Sequence, residues 1–173
     1  DRFSLKHGVP AVDKYQDWFL KSATEDNQVT RLSFYRNLFT MDTLEDYPIL
    51  DENTSLVWAI GSSDDLKRHA TRGDYKINLF QAREPTTTTT TTTVAPPLKE
   101  NFQRTETITE GYDVTWDVDF ETESVSFELR VKTTGYIGFG FSKDGNMKEA
   151  DLIFGGVRDD KTSYLEDRFS QAS

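Results

Sequence analysis

The chain has 173 residues, no cysteine and a formal net charge of −10 at neutral pH. That acidic balance excludes a nucleic-acid partner, which needs a basic face, and the missing thiols exclude a disulfide framework, a cysteine-metal centre and a thiol nucleophile. Aromatic residues at 13% within a hydrophobic fraction of only 35% fit a compact β core of Phe, Tyr and Trp beside a polar segment outside it, and no stretch approaches the ~20 apolar residues of a membrane span.

In chain order, Asp13 to Leu20 is compatible with a strand or with a single turn. Thr30 to Arg36 alternates apolar and polar residues and predicts a half-buried strand. Asp51 to Ser55 is a polar turn that contains the N-glycosylation sequon Asn53-Thr54-Ser55, so Asn53 is expected on the surface and glycosylated. Ser55 to Gly61 is a nearly continuous apolar run, as in a central strand, and Lys76 to Phe80 predicts the last strand of the first part.

A composition break follows. Pro85 precedes eight consecutive threonines, Thr86, Thr87, Thr88, Thr89, Thr90, Thr91, Thr92 and Thr93, and then Val94-Ala95-Pro96-Pro97. With no hydrophobic period the run cannot join a core, and its composition is that of an O-glycosylated stalk. Extended as polyproline II, residues 85–97 would span on the order of 40 Å.

Beyond it, Tyr112 to Asp119 and Val125 to Val131 alternate with period two and predict two strands around a hairpin loop, Glu121 to Ser124. Gly135 to Phe141 is a strand whose glycines imply bulging or close backbone approach. Ser142 to Asn146 is turn chemistry, and Ala150 to Gly155 and Ser163 to Leu165 are further strands. Helical periodicity is weak throughout, so the expected fold is all-β, an antiparallel sandwich.

One word occurs twice. Asp1-Arg2-Phe3-Ser4 recurs as Asp167-Arg168-Phe169-Ser170, a period nearly equal to the chain, as in a unit of a longer array or a subunit that continues into the next.

The pattern Tyr112-x-x-x-Trp116, Gly135 to Ser142, Gly145-Asn146-Met147-x-x-Ala150-Asp151 and Tyr164 to Ser170 resembles the first half of a DOMON domain, in the form carried by dopamine β-hydroxylase-like monooxygenases. The opening segment, with Asp1 to Ser4, Pro10-x-x-Asp13-x-x-x-Asp17-Trp18, Leu32 to Asp42, Val57-Trp58-Ala59 and His69-x-x-x-Arg72-Gly73, resembles the second half of the same domain. The resemblance therefore implies an immunoglobulin-like sandwich in inverted order: residues 1–84 the second half, 85–100 the linker, 101–173 the first half, with the repeated word as assembly joint. The chain could close on itself, lend its halves to neighbours head to tail, or be one slice of a tandem array. The duplicated joint favours the last two, in which a neighbouring copy completes the open sheets.

Several site expectations come with the resemblance. Asp151, with the Leu152 carbonyl, and Asp17 correspond to positions that approach a cation in metal-containing members, and oxygen ligands suit Ca²⁺ or Na⁺. Met147 and His69 correspond to the axial pair of members that hold haem b. Trp18, Trp58 and Trp116 could stack on sugars, although Trp58 and Trp116 fall at inward strand positions where core packing is expected. No catalytic constellation stands out, so no enzyme activity is expected. The leading expectation is an extracellular structural glycoprotein: sandwiches joined by glycosylated Thr/Pro rods, with copies of itself and covalent glycans as partners, assembled into a fibre. The alternative is a haem- or carbohydrate-binding module of a larger redox or adhesion protein.

Overall fold

The computed structural model describes residues 9–81 and 102–170. Asp1 to Ser4, His7 and the threonine run Thr86 to Thr93 lie outside the described residues, and so do the calls made on them. Eleven strands are described: β1 (Ala11–Val12), β2 (Phe19–Asp26), β3 (Val29–Asn37), β4 (Thr54–Ile60), β5 (Thr71–Ile77), β6 (Phe102–Thr109), β7 (Tyr112–Asp119), β8 (Ser124–Val131), β9 (Ile137–Ser142), β10 (Asp151–Val157) and β11 (Ser163–Phe169). They form two antiparallel sheets, β1-β11-β10-β9-β4-β5 and β2-β3-β8-β7-β6.

Each sheet mixes strands from both sides of the threonine run. The seams are β1 with β11, β4 with β9 and β3 with β8, and at the last of these Phe34 lies opposite Phe127. One chain therefore completes its own sandwich. Within this chain the C-terminal copy of the repeated word occupies the β11 position, and the segment after Val9 pairs with it through Ala11↔Phe169 and Val12↔Arg168.

The core sits between the sheets. Along β7 the residues Tyr112, Val114, Trp116 and Val118 point inward and their neighbours outward, as the period of two requires. Trp18, Phe34, Phe127, Phe139 and Phe141 form a continuous aromatic cluster, with Phe127 and Phe139 centroids 5.0 Å apart and Trp18 stacked on Phe141 at 6.0 Å. Strands β9 and β10 are buried on both faces. Their outer face is covered by a second apolar group in which Tyr136, Leu152, Phe154 and Tyr164 pack with Leu66 and Met147.

Close packing explains one of the glycines. A Cβ on Gly140 would lie 2.1 Å from the Asp151 carbonyl oxygen, so β9 and β10 approach there only without a side chain.

Candidate functional site

The described residues with buried charge gather at one end of the sandwich, where both segments meet. They are Asp13, Arg36, Asp46, Asp151 and Asp167. Asp13 lies in the β1–β2 connection, Arg36 near the end of β3, Asp46 in the β3–β4 connection, Asp151 at the start of β10 and Asp167 in β11. Alternation along β3 turns Arg36 inward, in phase with Leu32 and Phe34. The β3–β4 connection is bent by Asp42, whose Oδ1 accepts from the backbone N–H groups of Leu44 and Glu45, at 3.0 and 3.1 Å. That Asx turn delivers Asp46 inward.

Asp151 is fully engaged. Its Oδ2 accepts from Arg36 Nη1 at 2.5 Å and from the Tyr47 N–H at 3.0 Å, and its Oδ1 accepts from Trp18 Nε1 at 3.0 Å. The Arg36 guanidinium also lies over the Trp18 ring, 4.9 Å from its centroid, a cation–π contact. Burial pushes the Asp151 carboxyl upward, against the pull of Arg36, Trp18 and the Tyr47 N–H.

The other three acids are differently placed. Asp13, Asp46 and Asp167 each offer an oxygen within 4.8 Å of the others. Asp13 Oδ1 accepts from the Tyr15 N–H at 2.9 Å, and Asp167 Oδ2 accepts from the Asp17 N–H at 3.0 Å. Asp167 Oδ1 and both oxygens of Asp46 are buried with no well-formed hydrogen bond, although the Thr40 hydroxyl is close enough to Asp46 to act on its carboxyl. The nearest cation to Asp46 is Arg36, whose Nη2 stands 3.8 Å away, beyond hydrogen-bond distance. Burial pushes Asp46 up to about 7, with Thr40 and Arg36 opposing. Burial, followed by repulsion from Asp151, pushes Asp167 up to about 8.

The cation set implied by the resemblance is thus arranged otherwise than expected. Asp151 spends its oxygens on protein donors, Leu152 sits in the β10 ladder between Gly140 and Arg168, and Asp17 contributes its backbone N–H to Asp167. The buried carboxylate oxygens left without a well-formed hydrogen bond belong to Asp46 and Asp167. Sequence reasoning named Asp13 and Asp167 only as parts of motifs and passed over Asp46. Nothing in its local pattern separates Asp46 from the exposed acids of the same loop.

Met147 and His69 both lie near Tyr136, on the outer face of the six-stranded sheet. Met147 packs against the apolar group there. His69 Nδ1 is 2.6 Å from the Tyr136 hydroxyl, which donates to the Lys67 carbonyl at 3.1 Å. Burial, with help from Arg72, lowers the His69 ring below its ordinary range. Tyr136 and Phe154 stand edge to face at 5.6 Å and, with Tyr164, fill that face. These residues do not fit a haem between Met147 and His69.

The remaining expectations place simply. Asn53 is exposed immediately before β4. Trp18, Trp58 and Trp116 are all buried, so none offers a sugar platform. Asp167, Arg168 and Phe169 lie in β11, Arg168 Nη1 donates to the Pro10 carbonyl across the seam, and the Ser170 N–H donates to the Ala150 carbonyl at 3.1 Å.

Comparison with known proteins gives a family match described as DOMON domain, over residues 108–173. The chain is 48% identical over 50 residues to "DBH-like monooxygenase protein 1" of Mus musculus, which is 29% of this chain and 8% of that protein. It is 42% identical over 53 residues to "Putative DBH-like monooxygenase protein 2" of Homo sapiens, 31% of this chain and 11% of that protein. It is 36% identical over 61 residues to "MOXD1 homolog 2" of Drosophila melanogaster, 35% of this chain and 8% of that protein. The matches to these three relatives span about a tenth of their length or less. No solved structure matches it.

Proposed function

Residues 108–173 belong to the DOMON domain family, and from that premise we propose that the chain supplies a non-catalytic β-sandwich module of a larger extracellular protein. One observation carries this. The segment that matches the DBH-like monooxygenases covers only 8–11% of those proteins, and here that segment is built into one sandwich with residues 9–81 through three strand seams. The threonine run then acts as a spacer that a closed module tolerates, and an exposed Asn53 suits a secreted, glycosylated setting. The buried end of the sandwich holds acids and one arginine rather than a nucleophile with its base.

A head-to-tail fibre is the second possibility, favoured by the inverted order of the halves and the repeated Asp-Arg-Phe-Ser word. The two separate by the size of the purified, deglycosylated chain in solution. A module sediments as a monomer near 19.8 kDa and shows no Soret absorption after incubation with hemin. Concentration-dependent filaments under the electron microscope would replace the module with the fibre.

A further inference from the structure

Among the described residues, every exposed large apolar side chain belongs to residues 9–50, and none comes from residues 102–170. Met41 is fully exposed, Leu44 is 88% exposed, Phe39 66% and Tyr15 55%. Single apolar residues scattered over a surface are ordinary, but a set gathered in one place marks an interaction surface. These four share one end of the sandwich. Phe39, Met41 and Leu44 lie in the β3–β4 connection and Tyr15 in the β1–β2 connection. The two connections come together where oxygens of Asp13, Asp42 and Glu45 lie within 4.8 Å of one another.

The β3–β4 connection is anchored on both sides of its exposed stretch. Leu38 and Ile49 are buried, the Leu38 N–H donates to the Glu123 carbonyl at 2.8 Å, and Tyr47 stacks on Phe141 at 6.0 Å. Phe39, Met41 and Leu44 are therefore presented on a fixed frame, which lowers the ordering cost of binding. Their setting is acidic: from Leu38 to Thr54 the sequence has Asp42, Glu45, Asp46, Asp51 and Glu52 and no lysine or arginine. A membrane with anionic headgroups repels that rim, and a second copy would bring the same rim to it. The complement is an apolar surface edged with Lys or Arg. The outermost described residues lie at the same end. Val9 stands two residues before Ala11, which pairs with Phe169, and the Ser170 N–H donates to the Ala150 carbonyl. Asp151, opposite Phe169, accepts from the Tyr47 N–H of the β3–β4 connection.

We propose that this end of the sandwich, centred on Phe39, Met41 and Leu44, is the face on which a neighbouring module of the same longer protein docks, through an apolar surface edged with Lys or Arg. The docking rests on the reading above that the chain is one module of a larger protein. That reading supplies the neighbour, since the segment matching the DBH-like monooxygenases makes up only 8–11% of those proteins. Chain that continues from Val9 or from Ser170 starts beside this face, so a module attached there reaches it without a long connection.

The test compares the whole 173-residue chain with the longer protein that carries it, both treated with dilute hydrogen peroxide and followed by peptide mass spectrometry. The chain has two methionines. Met41 is expected to oxidise on the order of tenfold more slowly in the longer protein, and Met147, packed against the outer apolar group, at the same rate in both. Phe39→Lys combined with Leu44→Lys should return Met41 of the longer protein to the rate of the separate chain, without lowering the melting temperature of that chain. Glu52→Lys should do so in part, and unchanged protection in that variant would overturn the basic edge. Equal Met41 rates in the chain and the longer protein would overturn the docking, as would protection that survives the double lysine substitution. Protection of Met41 in the separate chain that grows with concentration would put a second copy on the face instead. Intact mass after deglycosylation keeps the two failures apart. A natural protein no larger than the 19.8 kDa chain sinks the module and the docking together, whereas a longer protein with unprotected Met41 sinks the docking alone.

Discussion

Arg36, on β3 of the first segment, and Asp151, on β10 of the second, meet at 2.5 Å with side chains 1% exposed. The pair bridges the two sheets as well as the two segments. Removing one partner leaves the other charge buried and unpaired, which costs about 3–5 kcal/mol. Arg36→Met and Asp151→Asn should each lower the urea midpoint accordingly. Arg36→Met combined with Asp151→Leu should recover much of the loss, because a buried pair replaced by apolar groups of similar volume is often neutral. A double variant as unstable as the sum of the singles would show that the two residues act separately.

Gly140 gives a steric prediction. A methyl group there would come 2.1 Å from the Asp151 carbonyl oxygen and 2.9 Å from the Leu152 Cα, and neither backbone atom can rotate aside. Gly140→Ala should therefore part β9 from β10 and destabilise the chain by about 1–3 kcal/mol or more, the usual cost of overpacking. Gly156→Ala supplies the contrast, since the nearest atoms around its Cβ belong to the Tyr164 ring, at 3.3–3.5 Å. Denaturant unfolding of the two variants should differ clearly, and equal midpoints would contradict the close approach.

The seams predict that the threonine run is dispensable for holding the sandwich together. The β3–β8 seam alone joins eight residue pairs, from Thr30↔Val131 to Asn37↔Ser124, and the aromatic cluster is shared by Trp18 and Phe34 on one side and Phe127, Phe139 and Phe141 on the other. A protease site inserted within Thr86 to Thr93 and then cut should leave the two fragments together on gel filtration, separating only in denaturant. Fragments that part under native conditions would show that the seams do not suffice.

How far the sequence carried can be seen strand by strand. Strands β3, β4, β7, β8 and β9 were legible because each buries an alternating or continuous apolar set. For β2, with the sequence FLKSATED and a largely exposed pattern, the sequence offers only the segment Asp13 to Leu20, as a strand or a single turn, which ends just after β2 begins. Strand β2 lies at an edge, with a register shift between Leu20 and Ser22, and edges lack the period that reveals a strand. The polar edge strand β6 escaped for the same reason. The last strand before the threonine run was drawn over Lys76 to Phe80, yet β5 ends at Ile77, where Asn78 Oδ1 accepts the Phe80 N–H at 2.9 Å and turns the chain. The acid triad was illegible because its members are far apart in sequence, and its meaning lies in which oxygens remain without a well-formed hydrogen bond once Asp151 has taken Arg36.

His69 gives the pH prediction. Its ring is lowered by burial and by Arg72, while in the unfolded chain it titrates near about 6.5. The folded state therefore binds fewer protons than the unfolded state in the window just below that value. Its contribution to stability is complete above the unfolded pKa and is lost as pH falls through the window toward the folded pKa. Asp46 and Asp167 act with the opposite sign. Their folded values are raised to about 7 and about 8, so their contribution is complete at low pH and is lost as pH rises through the folded values. The two trends overlap in a raw melting curve, and the His69 part must be read as a difference. The unfolding free energy of the wild type minus that of His69→Gln should shrink between pH 8 and pH 5.5. Replacing Tyr136 with Phe, which removes the hydroxyl 2.6 Å from Nδ1, should alter that difference. A wild-type-minus-His69→Gln difference that stays flat across the range would mean that the His69 ring titrates alike in the folded and unfolded chains.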